Sequence, residues 1–97
     1  MDFKIPKKYT IGGQDVTIEV VESDGEDYGN YTQAMGRMRI CKKAGDIPLS
    51  ETSQLNTFFH EFVHSVLRTM GEYELNSNEK FINCFAGFMT EAIRTME

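Results

Sequence analysis

The sequence SETSQLNTFFHEFVHSVLRTMG, residues 50–71, decides the fold because it encodes one long amphipathic helix. Ser50 is a good N-cap, with Glu51 in the favourable first turn, and Gly71 stands where a helix commonly ends. Between them, apolar residues recur at spacings of three, four and seven, which is typical of a helix with one face in the core. These apolar positions are Leu55, Phe58, Phe59, Phe62, Val63, Val66, Leu67 and Met70.

Within this helix, residues 60–64 read His-Glu-Phe-Val-His and contain both histidines of the chain. Because an α-helix advances about 100° per residue, His60 and His64 leave the same face one turn apart. Two imidazoles so placed can bind one Zn²⁺, and Glu61 can act as general base on a water at the metal. The alternative is a pair of unrelated polar residues on a helix face, which the helical context disfavours.

Short β-branched and alternating segments in the first half of the chain predict a small β-sheet. Residues 9–11 and 16–21 are β-branched runs separated by Gly12-Gly13-Gln14-Asp15, which is typical of a β-hairpin. Two further extended segments, residues 28–32 and 37–41, follow an acidic turn. In the second of them Met38 and Ile40 alternate with arginines, which predicts a half-exposed strand.

A second helix follows after a short connection, residues 72–76, with Ser77 as its predicted N-cap. Two helices joined by so short a link pack as roughly antiparallel neighbours. The predicted fold class is therefore α+β, with a small twisted antiparallel or mixed sheet of three to four strands packed on two antiparallel helices, in a single domain of residues 1–97. The predicted apolar face of the second helix comprises Phe81, Cys84, Phe85, Phe88, Met89, Ala92 and Ile93.

A third metal ligand is expected, because a catalytic zinc usually has three protein ligands and one open position. Glu72 and Glu74 lie where the chain turns, whereas Glu79 lies in the first turn of the second helix. Antiparallel packing returns that turn toward His64. Asn83 follows one turn later and could hydrogen-bond a metal-ligating histidine. The alternative for Glu79 is an ordinary negative charge at a helix N-terminus.

Composition narrows the function classes further. The net charge of −5 over 97 residues argues against a nucleic-acid-binding surface. No stretch is long and apolar enough to span a membrane, and residues 1–9 contain no apolar signal segment, so a reduced, cytoplasmic protein is expected. Cys84 is predicted to be a small core residue. The sequence permits a disulfide between Cys41 and Cys84, but the reducing environment of the cytoplasm disfavours it.

The two helix motifs together resemble those of the gluzincin metallopeptidases. His60-Glu61-Phe62-Val63-His64 followed by Asn78-Glu79-Lys80-Phe81-Ile82-Asn83 is similar to their His-Glu-x-x-His helix followed by a helix with Asn-Glu-x-x-x-Asp. The small size resembles the minigluzincins and the short His-Glu-x-x-His proteins of phages and mobile elements, which are related to ImmA/IrrE-type metallopeptidases. This resemblance covers residues 28–96. It implies one Zn²⁺ held by His60, His64 and Glu79, with Asn83 in place of the family's acid.

The function that this resemblance implies is a zinc-dependent metallopeptidase that hydrolyses a peptide bond, with Glu61 activating the water. The substrate would be a peptide or protein, lying along the backbone of strand 37–41. Tyr28, Tyr31 or Tyr73 could donate a hydrogen bond to the oxyanion, and the alternative for each is a packing or surface role. The alternative is a non-catalytic or partner-dependent, zinc-stabilised binding or regulatory module of phage or mobile-element origin, because so short a chain forms only a small cleft.

Overall fold

The computed structural model describes residues 3–97, which form an α+β fold with a five-stranded mixed sheet. Residues 1 and 2 of the predicted domain lie outside the described residues. The predicted fold class is confirmed, but there are more strands than expected and a third, short helix. The strands are β1 (Lys8–Ile11), β2 (Gln14–Ser23), β3 (Gly29–Thr32), β4 (Arg37–Ala44) and β5 (Ile47–Pro48), and the helices are α1 (Glu51–Met70), α2 (Tyr73–Asn76) and α3 (Glu79–Thr95).

The sheet begins with the predicted hairpin and continues in the order β1-β2-β4-β3. β1 and β2 pair antiparallel across a two-residue turn at Gly12 and Gly13, whose φ angles of 57° and 80° are those that a type I′ turn requires. β2 then pairs parallel with β4, with Ile18 opposite Met38. β3 pairs antiparallel with the other edge of β4, and β5 continues that edge at the end of β4.

The backbone of residues 37–41 is not free to pair with a peptide, as the predicted substrate position requires, because β4 is the central strand and is paired on both sides. The edge strand is β3, and no described strand pairs with its outer side. The backbone N–H of Cys41 donates to the carbonyl of Tyr28 at 2.9 Å. Since antiparallel pairs alternate, the backbone groups of Gly29 and Tyr31 therefore point away from β4. The expected alternation of faces does hold in β4, where Met38 and Ile40 are buried and the arginines are not.

The main core lies between the sheet and α1. The sheet contributes Val16, Ile18, Met38 and Ile40, α1 contributes Leu55, Phe58 and Phe59, and α3 contributes Ala86. The predicted ends of α1 are confirmed: the backbone N–H of Ser53 donates to the Ser50 hydroxyl at 3.0 Å, and Gly71 ends the helix with a φ of 77°. None of the helices in the described part of the chain has an apolar run long enough to cross a bilayer.

The predicted apolar face of α3 is partly wrong. The buried residues are Ile82, Ala86 and Thr90, whereas four members of the predicted set are exposed: Cys84, Phe85, Phe88 and Ala92. The helix has two overlapping apolar stripes, and periodicity alone does not indicate which one faces the core. The predicted cap is also one residue early, because Asn78, not Ser77, accepts the backbone N–H of Phe81 at 3.1 Å. Cys41 is buried, and both cysteines are free thiols.

Candidate metal centre

The structure brings His60, His64 and Glu79 together where α1 and α3 meet. Nε2 of His60 lies 3.8 Å from Oε2 of Glu79, and Nε2 of His64 lies 3.8 Å from Oε1 of the same carboxylate. One nitrogen or oxygen of each residue lies within 4.8 Å of the other two. Two ligands of a tetrahedral zinc, each bonded at about 2.0–2.1 Å, lie about 3.4 Å apart. The three side chains therefore need only small movements to share one ion.

Packing of α3 against α1 explains why Glu79 reaches the histidines. Asn78 caps α3, so that Glu79 is its first residue. Ile82, one turn into the helix, is fully buried in a cluster with Val63 and Leu67 from the second half of α1. Burying an isoleucine in such a cluster contributes about 1.5–3 kcal/mol. This contact fixes the start of α3 beside the turn of α1 that carries His64.

Asn76, at the end of α2, is a site residue that the sequence reasoning missed. Its Oδ1 lies 2.6 Å from Nδ1 of His64. Because a carbonyl oxygen only accepts, the imidazole carries its proton on Nδ1, which leaves the Nε2 lone pair directed at Glu79 free for a metal. Residues 72–76 were expected to be a plain connection, and nothing in their composition indicates the helical turn that delivers this side chain.

Replacing Asn76 by alanine is expected to weaken zinc binding by about 10–100-fold, because the orientation and tautomer of His64 are no longer held. Competition against a chromogenic chelator measures the dissociation constant. Asn76→Asp is the matched control, since a carboxylate oxygen still accepts from Nδ1, and it should bind zinc about as tightly as the parent chain. Unchanged affinity in Asn76→Ala would show that the hydrogen bond does not position the ligand.

Glu61 lies beside the two histidines but is oriented differently from them. Glu61 is only 8% exposed, and the Oε2 atom of its side chain is buried without a hydrogen-bond partner. Burial raises the pKa of this carboxyl above its ordinary value, the charge of Glu79 raises it further, and His64 opposes the shift. A buried carboxylate oxygen without a donor is costly, and such groups are frequent at functional sites.

The predicted supporting residue Asn83 lies on α3 next to His60. Burial lowers the pKa of the His60 imidazole, and the neighbouring His64 lowers it further. The charge of Glu79 and a hydrogen bond in which the Asn83 side chain accepts from the imidazole act in the opposite direction. The net shift favours the neutral imidazole, which is the form that binds a metal.

A cleft of about 340 Å³ opens between β3, α1 and α3 beside this centre, and of the three candidate ligands His60 lines it whereas His64 and Glu79 do not. His60 and Glu61 form one part of its lining and Asn83 another, while Gly29 at the start of β3 and Tyr28 just before it form the third. Gly29 allows β3 to approach α1 closely, because a Cβ atom there would lie 2.7 Å from the methyl group of Thr57. A larger groove of about 640 Å³, lined by Phe3, Lys4 and the start of α1, contains none of these residues.

Of the three tyrosines considered as oxyanion donors, Tyr28 alone lines the cleft. The hydroxyl of Tyr31 is buried without a partner, and burial raises its pKa. Tyr73 is exposed on α2. The structure therefore brings Tyr28, but not Tyr31 or Tyr73, to the lining of this cleft.

Comparison with known proteins adds no further constraint on the site. No family model, no curated protein and no solved structure matches the chain.

Proposed function

We propose that this chain is a zinc-dependent peptidase of the gluzincin type, in which His60, His64 and Glu79 hold one Zn²⁺ and Glu61 is the general base. The observation that carries the proposal is the convergence of two Nε2 atoms on one carboxylate, with a buried glutamate beside them.

The chemistry of the donor set fits zinc. Two imidazole nitrogens and one carboxylate oxygen are a combination found at catalytic zinc sites, whereas structural sites are usually closed by four protein ligands. The group found among the described residues has three members, which leaves a position for water or substrate. A zinc ion held there would lower the pKa of a water to about 7 and polarise a carbonyl group.

The residues around the ion have separate tasks in this proposal. Glu61 accepts a proton from the attacking water and returns it to the nitrogen of the leaving amine. Asn76 orients His64, and Asn83 supports His60. Tyr28, at the rim of the cleft, is the tyrosine best placed to donate a hydrogen bond to a substrate oxygen.

The outer edge of β3 is the proposed seat of the substrate, in place of the strand expected from the sequence. Gly29 lines the cleft, and its backbone groups, which pair with no described strand, point away from β4 together with those of Tyr31. An extended peptide can add to such an edge as one more strand. The substrate class is therefore a peptide, or an extended segment of a protein.

The size of the cleft favours one second candidate, a regulatory module that binds zinc without cleaving a substrate. A volume of about 340 Å³ lies at the lower end of the range of ligand pockets, about 300–1,000 Å³. In either case we place the protein in the cytoplasm, because two free thiols, one of them exposed, suit a reducing compartment.

Incubating the zinc-loaded protein with an unbiased peptide library, followed by mass spectrometry, separates the two candidates. We expect new peptide ends that disappear on chelation and return when zinc is restored. The double variant His60→Ala/His64→Ala, prepared in the same way, should produce none. A library left intact by a protein shown to carry zinc would reject the peptidase and favour the regulatory module.

A further inference from the structure

α3 carries a second apolar stripe that lies away from the main core; of its four members, Phe81 alone packs against the smaller cluster of Val63, Leu67 and Ile82 among the described residues. The packed stripe is Ile82, Ala86, Met89 and Ile93, which lie in or against the two core clusters. The second stripe is Phe81, Phe85, Phe88 and Ala92, which is the same spacing shifted by one residue. A shift of one residue rotates the stripe by about 100° around the helix.

This second stripe, called here the phenylalanine face, is largely exposed. Phe88 is 71% exposed and Phe85 47% exposed, while Phe81 is half-buried. The rings of Phe81 and Phe85 lie together, with centroids 5.6 Å apart. A contiguous apolar patch of this kind on a small domain is typical of an interaction surface.

We propose that the phenylalanine face is the interface of a symmetric dimer, in which α3 of one copy packs antiparallel on α3 of a second copy. With the two-fold axis between Phe85 and Phe88, Phe85 packs against Phe88 of the second copy. Phe81 then lies opposite Ala92, so a large side chain meets a small one at each end of the interface. A parallel pair would instead place each phenylalanine against its own counterpart.

The charges beside the face also fit the antiparallel arrangement. Lys80 and Glu91 are exposed on the same side of the stripe, near its opposite ends. Among the described residues neither of them forms an ion pair. Antiparallel pairing places Lys80 of each copy about 3 Å along the helix axis, or two residues, from Glu91 of the other copy. A lysine side chain spans that offset. In a parallel pair Lys80 and Glu91 would instead lie about 16 Å apart along the helix axis, too far to form an ion pair.

The dimer leaves the candidate metal centre open. Glu79 and Asn83 lie roughly 160° around the helix from the phenylalanine face. The inference therefore does not depend on the proposed function. The interface is small, because two partly exposed phenylalanines from each copy supply most of its apolar area. We accordingly expect a weak dimer, with a dissociation constant of about 10–100 µM.

Sedimentation equilibrium of the full chain from about 5 to about 500 µM tests the proposal directly. The parent chain should pass from monomer to dimer, and Phe88→Glu should stay monomeric, with an association at least about 100-fold weaker. Ile47→Glu is the matched control, since Ile47 is 70% exposed on β5, and it should dimerise like the parent. Circular dichroism verifies that each variant is folded. A parent chain that stays monomeric overturns the proposal, and so does a Phe88→Glu variant that dimerises normally.

Charge reversal at Lys80 and Glu91 tests whether the two copies of α3 pack antiparallel on each other. It also distinguishes this pairing from one in which α3 packs on a different helix of the second copy. Lys80→Glu and Glu91→Lys should each weaken self-association by about 5–10-fold, because two pairs per dimer change from attraction to repulsion. An equimolar mixture of the two variants should associate as tightly as the parent chain, since each copy now carries the complementary charges. A mixture no tighter than its components would overturn this arrangement.

Discussion

Replacing Glu61 by glutamine is expected to reduce peptide hydrolysis by about 10²–10⁴-fold while leaving zinc bound. The amide has the shape of the carboxylate but accepts no proton from water, so the proton transfer of the proposed reaction is lost. The buried position of Glu61 makes this substitution informative. Because the carboxyl is buried without a partner on Oε2, a neutral amide of the same size should not unfold the chain.

The change is measured as kcat/KM on the best peptide from the library, with zinc content determined on the same preparation. Glu51→Gln, an exposed glutamate in the first turn of the same helix, is the matched control and should keep full activity. Full activity in Glu61→Gln would remove Glu61 from the mechanism. Loss of zinc together with activity would assign it to holding the site, not to proton transfer.

Removing the metal is expected to lower the melting temperature of the parent chain by about 15–30 °C. A ligand present at 1,000 times its dissociation constant stabilises the folded state by about 4 kcal/mol. For a domain of this size each kcal/mol corresponds to about 4–8 °C. The ion would join α1 to α3, so its loss leaves the two helices held only by their apolar contacts, chiefly around Ile82.

Differential scanning calorimetry with and without chelator, and after zinc is restored, measures this shift. His64→Ala is the control, because it should melt at one temperature in all three conditions. A parent chain whose melting temperature is the same with zinc and with chelator would contradict a metal that links the helices.

Local periodicity accounts for the part of the fold that the sequence predicted well. Ser50, Gly71 and the apolar spacing between them define α1, and the meeting of His60 and His64 follows from the pitch of a helix. The approach of Glu79 follows from the shortness of the link between α1 and α3. These are consequences of residues close together in the chain.

The incorrect predictions all concern contacts between residues that are far apart in the sequence. The alternation in residues 37–41 indicates which side chains are buried, but it does not indicate which strands become neighbours, so the central position of β4 was not predictable. Both stripes of α3 are apolar, and packing decides which one is buried. Asn76 was missed because its role depends on a one-turn helix that only tertiary contacts stabilise.

The zinc content of the purified chain tests the central claim most directly, namely that three side chains from two helices hold a single ion. After loading and exhaustive dialysis, elemental analysis should give about one zinc per chain for the parent. Glu79→Ala should bind zinc more than about 100-fold more weakly, in contrast to the smaller loss expected for Asn76→Ala. A parent chain that retains no stoichiometric zinc, or a Glu79→Ala variant that binds it as tightly as the parent, would contradict the account.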